Sequence, residues 1–472
     1  MAIYKLFPEK DATLYTQNPA MNTGLDEILE ASTYLLNDAA QTSRYLIKFS
    51  SNELTGAYTN YVSGSGISYL STGSNVLLTS ITQNPTTLVN KIYPDIGLTS
   101  SLGTGVGVRA DVTVTGNTIT AITLTNRGKN YKIGDTLRIS RLNRTNGQSA
   151  TASITLNSGD FVTREYQTSL KNYAAVVTNL NSTSYLKVYP ISQSWDMGTG
   201  RFGNSPVTTN GCNWRSKIEG QSWTNGTFSP RTTGSYSQNQ GTTTGGGTWY
   251  TGSSTAKMVT ASQTFTYADP IDLDVDVTFA VDVWFSQSYG LGGDIPNEGF
   301  IVKQTSSIEL IPSQSQASTF KFYSVDTNTI YPPTLEIKFD DFFYGTSSQM
   351  QTLSQPEAFI STYNNDGVYY PQSVQRFRIA AVPQYPKKIF QTQSGYLTNF
   401  YLPKQSEYAI KDSETNEYII NFDSEYTKVS ADTTSSYFDI YMGGLEPERY
   451  YTVLLKTTIN GTTKVFDEDI MF

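Results

Sequence analysis

Residues 194–204 read SWDMGTGRFGN, followed by NGCNWR at 210–215 and GQSW at 220–223. Three tryptophans with acidic, basic and amide side chains between them form an inventory suited to carbohydrate. Indole faces stack on sugar rings, and charged or amide groups bind hydroxyls. In that reading Trp195, Asp196, Arg201, Trp214, Arg215 and Trp223 line a glycan site. The same residues also suit a different task. A buried tryptophan removes roughly 200 Å² from water and can satisfy its N–H in the loop backbone, so the indoles can pin long glycine-rich loops to a sheet. All five tryptophans (195, 214, 223, 249 and 284) fall within 195–284, which favours bracing.

Other chemistry is narrower. The chain has no histidine and one cysteine, Cys212, which removes His-dependent triads, HExxH zinc sites, Cys/His zinc sites and an intrachain disulfide. Cys212 reads as a small packed side chain beside Trp214. In IDLDVDVTF, Asp272, Asp274 and Asp276 recur at period two and share one strand face. They suit a solvated outer face, with calcium as the alternative. Asp340 and Asp341 are adjacent, so they point to opposite faces. A glycosidase needs two carboxylates about 5–10 Å apart in a cleft, and nothing singles out such a pair. Catalytic, cofactor and metal residues are therefore expected to be none. The GTGVGV run at 103–108 lacks the GK[ST] and the strand–loop–helix setting of a phosphate loop.

Aromatic loops supply a further candidate surface. DGVYYPQS (366–373) and SGYLTNFYLPKQSEY (394–408) carry Tyr369, Tyr370, Tyr396, Phe400 and Tyr401. Tyrosine suits protein interfaces because it brings area, rigidity and a polar tip.

The elements that must hold these residues are strands. Period-two alternation runs through RYLIKFS (44–50), SYLKVYP (184–190), IDLDVDVTFAVDVWF (271–285), TFKFYSV (319–325) and TLEIKFDDF (334–342). GLDEILEAS (24–32) reads as a turn or two of helix, or equally as strand or loop. Aliphatic and aromatic residues make up only 38% of the 472 residues, but the 33 tyrosines and 22 phenylalanines can fill several modest cores. Gly116–Asn117 joins two alternating runs as a hairpin. SGSGISYLSTGSN (63–75) reads as a flexible connection. In GLEPERYYTVLLK (444–456), Leu445 and Pro447 shape a loop entering a strand, and Tyr451 can hydrogen-bond back to the backbone as a tyrosine corner. Segments 1–60 and 163–345 are expected to form one split, jelly-roll-like sandwich. Residues 61–162 are an inserted β module, and 346–472 an immunoglobulin- or fibronectin-like sandwich. The fold class is all-β.

A formal charge of −8 and the absence of a basic cluster argue against nucleic acid. The sequence has no apolar run of about 18 residues, so a spanning helix is not expected. MAIYKLFPEKDATLY offers no signal-peptide core, which points to synthesis in a cytoplasm.

The series KDATLY, NTG, LEAS, SRYLIKF, LKVYPISQSWDMGTGRFGN, NWR, GQSW, FAVDVWF, NEGFIVK, FKFYS and PPTLEIKFDD resembles the DNRLRE (disaggregatase-related) β-sandwich domain over 8–50 and 163–342. The chain departs from that pattern by its insertion at 61–162. The insertion is similar to a small β module of baseplate and fibre proteins in T4-like phages of marine bacteria. The stretch from RFRIAAV to GGLEPERYYTVLLK is similar to the end of virion proteins of that group. These resemblances imply a non-enzymatic virion structural protein of the tail, neck, baseplate periphery or fibre attachment. Its implied partners are copies of itself and other virion proteins, without nucleic acid or membrane. Host-surface carbohydrate adhesion is the alternative.

Overall fold

The computed structural model describes residues 2–58, 69–70, 76–83, 87–103, 105–129, 131–157, 160–162, 166–180, 183–224, 235–242, 245–254, 257–288, 295–310, 318–345, 350–370, 373–385 and 399–467. The protein is all-β, built from antiparallel sheets with four short helices among the described residues. None of these helices is long and apolar enough to cross a membrane. The chain divides into two compact units. One comprises Lys5–Ala57 and Gln167–Ile337; the other comprises Met1–Tyr4, Tyr58–Tyr166 and Lys338–Phe472.

The first unit is a sandwich assembled from both sides of the sequence interruption. Its larger sheet orders Ala174–Thr178, Thr319–Tyr323, Ile28–Leu36, Ala39–Phe49, Phe300–Gln304, Ser184–Pro190 and Ala261–Phe265. Pro8–Tyr15 pairs with Ala39–Phe49 off this path. The register joins distant segments directly: Ile301 faces Leu46, and Phe320 faces Ala31. A second sheet orders Ala2–Leu6, Thr334–Phe339, Tyr166–Asn172 and Leu273–Asp276, of which residues 5–6, 334–337, 167–172 and 273–276 belong to this unit. Asn172 Nδ2 donates to Tyr45 Oη at 2.7 Å, tying the two sheets. Aromatic contacts fill this interior, with ring centroids of Phe265 and Phe320 4.9 Å apart and of Trp284 and Phe300 4.5 Å apart.

One open reading closes and one expectation is corrected. Of the alternatives for GLDEILEAS the strand holds, since its end supplies the start of Ile28–Leu36. The strand expected over 271–285 stops at Asp276, and Thr278–Ser288 is an α-helix. Asp276 Oδ1 accepts both the N–H and the Oγ1–H of Thr278, at 2.9 and 2.6 Å, which turns the chain at the strand end. Beyond it, the buried residues Val277, Ala280, Val281 and Trp284 recur at helical spacing. A run this apolar fits either period, and the burial available to one helical face decides between them.

In the second unit, residues of the inserted stretch form a six-stranded sheet. Its order is Ile81–Gln83, Ser149–Thr155, Thr136–Asn143, Ile92–Leu102, Val106–Thr115 and Thr118–Lys129. Gly116 and Asn117 have φ of 61° and 63°, the left-handed pair of a tight hairpin turn. Most of the connection expected at 63–75 lies outside the described residues; Tyr69–Leu70 pairs with Phe161–Val162. The rest of this unit is a two-sheet sandwich. One sheet orders Ala358–Thr362, Val374–Pro383, Ser436–Tyr441 and Ser430–Ala431. The other orders Tyr418–Ile420, Glu407–Asp412, Tyr451–Ile459 and Thr462–Phe466. Phe377, Phe438 and Tyr408 stack successively in its core. Tyr451 Oη donates to the Glu446 carbonyl at 3.0 Å, closing a tyrosine corner over the buried Val453 and Leu455.

Candidate functional site

The tryptophan stretch is a packed cluster. Trp195, Trp214 and Trp223 are 1%, 4% and 2% exposed, so no indole face is open for a sugar to stack on. They pack with Cys212, Trp249, Ile191, Ala12, Leu14, Leu46 and Ile301. The indole N–H groups of two of them are satisfied internally: Trp195 donates to the Glu298 carbonyl and Trp223 to the Asn213 carbonyl, both at 2.9 Å. Bracing is therefore what these three rings do in the folded chain. Their polar companions lie outside the cluster. Asp196, Arg201 and Arg215 are exposed, and Arg201 lies 3.9 Å from Glu27.

Asn22 holds the loops onto which the indoles pack. Its side-chain amide donates to the carbonyls of Met197 and Cys212, each at 2.7 Å. Its Oδ1 accepts from the backbone N–H of Gly24 and Gly200, at 3.2 and 2.7 Å. A primary amide has two donor hydrogens and two acceptor positions, and all four are used inside the protein. The loop backbones come so close here that only glycine fits. A Cβ at Gly198 (φ +79°) would lie 2.2 Å from the Asn210 carbonyl oxygen.

Charges under the cluster are buried and interlocked. Arg44 makes a two-pronged pair with Glu309, at 3.0 and 2.8 Å, and donates to the Gly246 carbonyl. Its guanidinium lies 4.9 Å from the Trp214 ring centroid and 5.3 Å from that of Trp249. Lys303 Nζ is 2.7 Å from Glu309. Burial and the neighbouring Arg44 lower the Lys303 pKa to about 8 despite that pairing. Lys10 donates to the Trp195 carbonyl and caps that ring at 4.5 Å; burial and then Lys48 lower its pKa. Cys212 is fully buried, and burial pushes its thiol far above the range in which a thiolate forms. A second buried arrangement sits around Glu336, 3.1 Å from Lys5 and 2.9 Å from Lys171. Burial alone would raise the Glu336 carboxyl, but the two lysines hold it down at about 2.

The three aspartates of the 272–276 run have separate tasks. Asp272 accepts the Ala174 N–H at 2.7 Å, Asp274 lies 3.6 Å from Lys171, and Asp276 turns the chain at Thr278.

The aromatic loops of the second unit are less of a surface than their composition implies. Tyr401 is fully buried and donates to the Asp432 carbonyl at 2.7 Å. Phe400 and Tyr369 pack against the core, and the Tyr369 hydroxyl donates to Asn365 Oδ1 at 2.6 Å. Tyr396 lies outside the described residues. Only Tyr370 stands out, 86% exposed. The expected interface set is corrected accordingly: Tyr401, Phe400 and Tyr369 serve the core, because their rings turn onto the apolar interior of the sandwich.

Sequence reasoning passed over Asn22, Lys10, Arg44 and Glu309. The loops and charges they hold lie far off in sequence, Asn22 meeting Met197 and Cys212 175 and 190 positions away and Arg44 meeting Gly246 and Glu309 202 and 265 positions away, so no local spacing betrays them. The repeated Gly-Asn pairs at 198–211 were the available hint. Comparison with models of known protein families, with curated proteins and with solved structures finds no match.

Proposed function

We propose that this chain is a non-enzymatic structural component of a phage virion, at the tail, neck, baseplate periphery or fibre attachment. It works by presenting rigid sheet and loop surfaces to copies of itself and to other virion proteins. The observation that carries this reading is the internal satisfaction of the tryptophan loops. Long polar loops held by Asn22, by buried indoles and by the Arg44–Glu309 pair are pre-ordered, so a partner meets a surface whose ordering entropy has already been lost. The resemblance of the sequence to virion domains supports the setting, and low charge density suits close contact between subunits.

Electron microscopy of the purified full chain tests the reading, together with antibody labelling of phage particles against 346–472. A symmetric oligomer and decorated particles are expected. A monomer at every concentration, with no labelled particle, would overturn it.

A second reading, host-surface carbohydrate adhesion, draws on a different residue from those first considered. Phe202 is 54% exposed and packs on Tyr15 at 5.2 Å, beside Arg201. Glycan-array binding lost in Phe202→Ala but kept in the Tyr370→Ser variant would favour adhesion.

A further inference from the structure

The end of the first unit's sandwich that carries Phe202 also holds acids with buried oxygens that accept no hydrogen bond. Asp11, in the Pro8–Tyr15 strand, is completely buried. Its Oδ2 accepts the Val325 N–H at 2.7 Å, whereas its buried Oδ1 has no hydrogen-bond partner. Asp326, the residue after Val325, also has a buried oxygen without a partner, Oδ2. Asp26 belongs to the same end through its acceptance of the Phe202 N–H at 2.8 Å. Burial first, then Asp326 and Asp26, raise the Asp11 pKa to about 8. Beyond the effect of burial, Asp11 in turn raises the pKa of Tyr45 and Cys212, neither of them a cation at neutral pH. Burial raises Asp26 and Asp326, and Arg201, exposed and 3.9 Å from Glu27, acts to lower them.

Leaving a buried carboxylate oxygen with neither donor nor counter-charge is costly. Two such oxygens supplied by adjacent structural elements are hard ligands on a fixed frame. Strand pairing holds Asp11, and the Val325 N–H bond links the Asp326 segment to it. We propose that Asp11 Oδ1 and Asp326 Oδ2 bind a divalent cation, calcium, which locks the Ser324–Asp326 turn to the Pro8–Tyr15 strand. No three acidic or cysteine side chains among the described residues gather as a metal-binding group. Backbone carbonyls and water therefore complete the oxygen shell, as calcium's flexible coordination of six to eight oxygens permits. Magnesium, which demands near-ideal octahedral geometry, suits such a shell less well.

The test is calcium titration of the full chain by calorimetry at neutral pH, with thermal melting in calcium, magnesium or chelator. One ion per chain is expected, with a Kd on the order of 10⁻⁴ to 10⁻³ M and a melting temperature raised by calcium more than by magnesium. Asp11→Asn and Asp326→Asn should each weaken binding about tenfold or more. Asp326 is only partly buried, so its variant decides the matter if Asp11→Asn fails to fold. A melting temperature identical in calcium and in chelator would overturn the proposal. So would calcium binding that survives Asp326→Asn unchanged.

Discussion

The tryptophan loops of the first unit and the tyrosine loops of the other share a sequence character: polar, turn-rich stretches studded with large aromatics. In the folded chain they are built differently. Trp195, Trp214 and Trp223 lie on loops whose backbone bonds are scattered, such as Cys212 N–H to the Asp196 carbonyl and Gly246 N–H to the Trp214 carbonyl, and Asn22 and the indole N–H groups add side-chain ties to them. Tyr401 donates one hydroxyl bond to the Asp432 carbonyl beside the sheet, and Tyr369 packs its ring on the core while its hydroxyl donates to Asn365 and accepts the Asp366 N–H within its own loop. The indoles therefore brace long loops by burying whole rings and donating to loop carbonyls, whereas the tyrosines pack one ring on an existing sandwich core.

The largest expected effects break the first half of that comparison. Trp195→Ala opens a cavity in the cluster and should destabilise the first unit by about 3–5 kcal/mol, read by chemical denaturation. Asn22→Ala removes an amide that satisfies two carbonyls and two N–H groups deep in the loops. Its expected cost is on the order of 4 kcal/mol, with faster hydrogen exchange at Gly200 and at the backbone of 197–212. A cost near that of a surface substitution would mean that the loops are held by apolar contact alone.

Glu336 probes the sheets rather than the loops. Its folded-state pKa of about 2 lies below its ordinary value of 4.5. The stability it contributes is complete above about pH 5 and is lost as pH falls toward 2, in total about 3 kcal/mol. The measurement is the stability difference between wild type and Glu336→Gln across that range. The difference should shrink steadily on acidification; one that stays constant would show that the two lysines do not hold the carboxylate ionised.

The fold was legible wherever alternation was strict and the turn chemistry explicit. SRYLIKF, SYLKVYP and the Gly116–Asn117 turn state their structure locally. The Tyr451 corner does so too, because its hydrogen bond spans five positions. The bracing of the tryptophans was legible as a tendency, from their clustering among glycines. The residues that carry it were not, since Asn22 meets Met197 and Arg44 meets Glu309 only after the sandwich closes. The helix at Thr278–Ser288 was missed because an apolar run with Asp at 276 and 282 satisfies both periods. The Tyr401 assignment failed because composition does not distinguish a tyrosine along a sheet from one on a loop.

Smaller effects sharpen the other half of the comparison. Tyr451→Phe removes one hydroxyl bond to the Glu446 carbonyl and should cost about 1 kcal/mol in the second unit, with no change in hydrogen exchange at 197–212. A loss as large as that of Trp195→Ala would show that a single corner bond organises the strand-borne region as strongly as the indoles organise theirs.

Tyr370 supplies the smallest effect on stability and the most direct reading of surface function. It is 86% exposed, as is Val368 beside it at 87%, so Tyr370→Ser should change folding stability by no more than about 0.5 kcal/mol. An exposed aromatic next to an exposed aliphatic leaves water only when a partner covers it, and aromatics at the centre of an interface often dominate its affinity. If subunit assembly uses this loop, Tyr370→Ser will weaken self-association by about tenfold or more in analytical ultracentrifugation while melting at the wild-type temperature. Unchanged association would move the contact surface elsewhere on the chain. A lowered melting temperature would show instead that Tyr370, like Tyr401, belongs to the packing of its own sandwich.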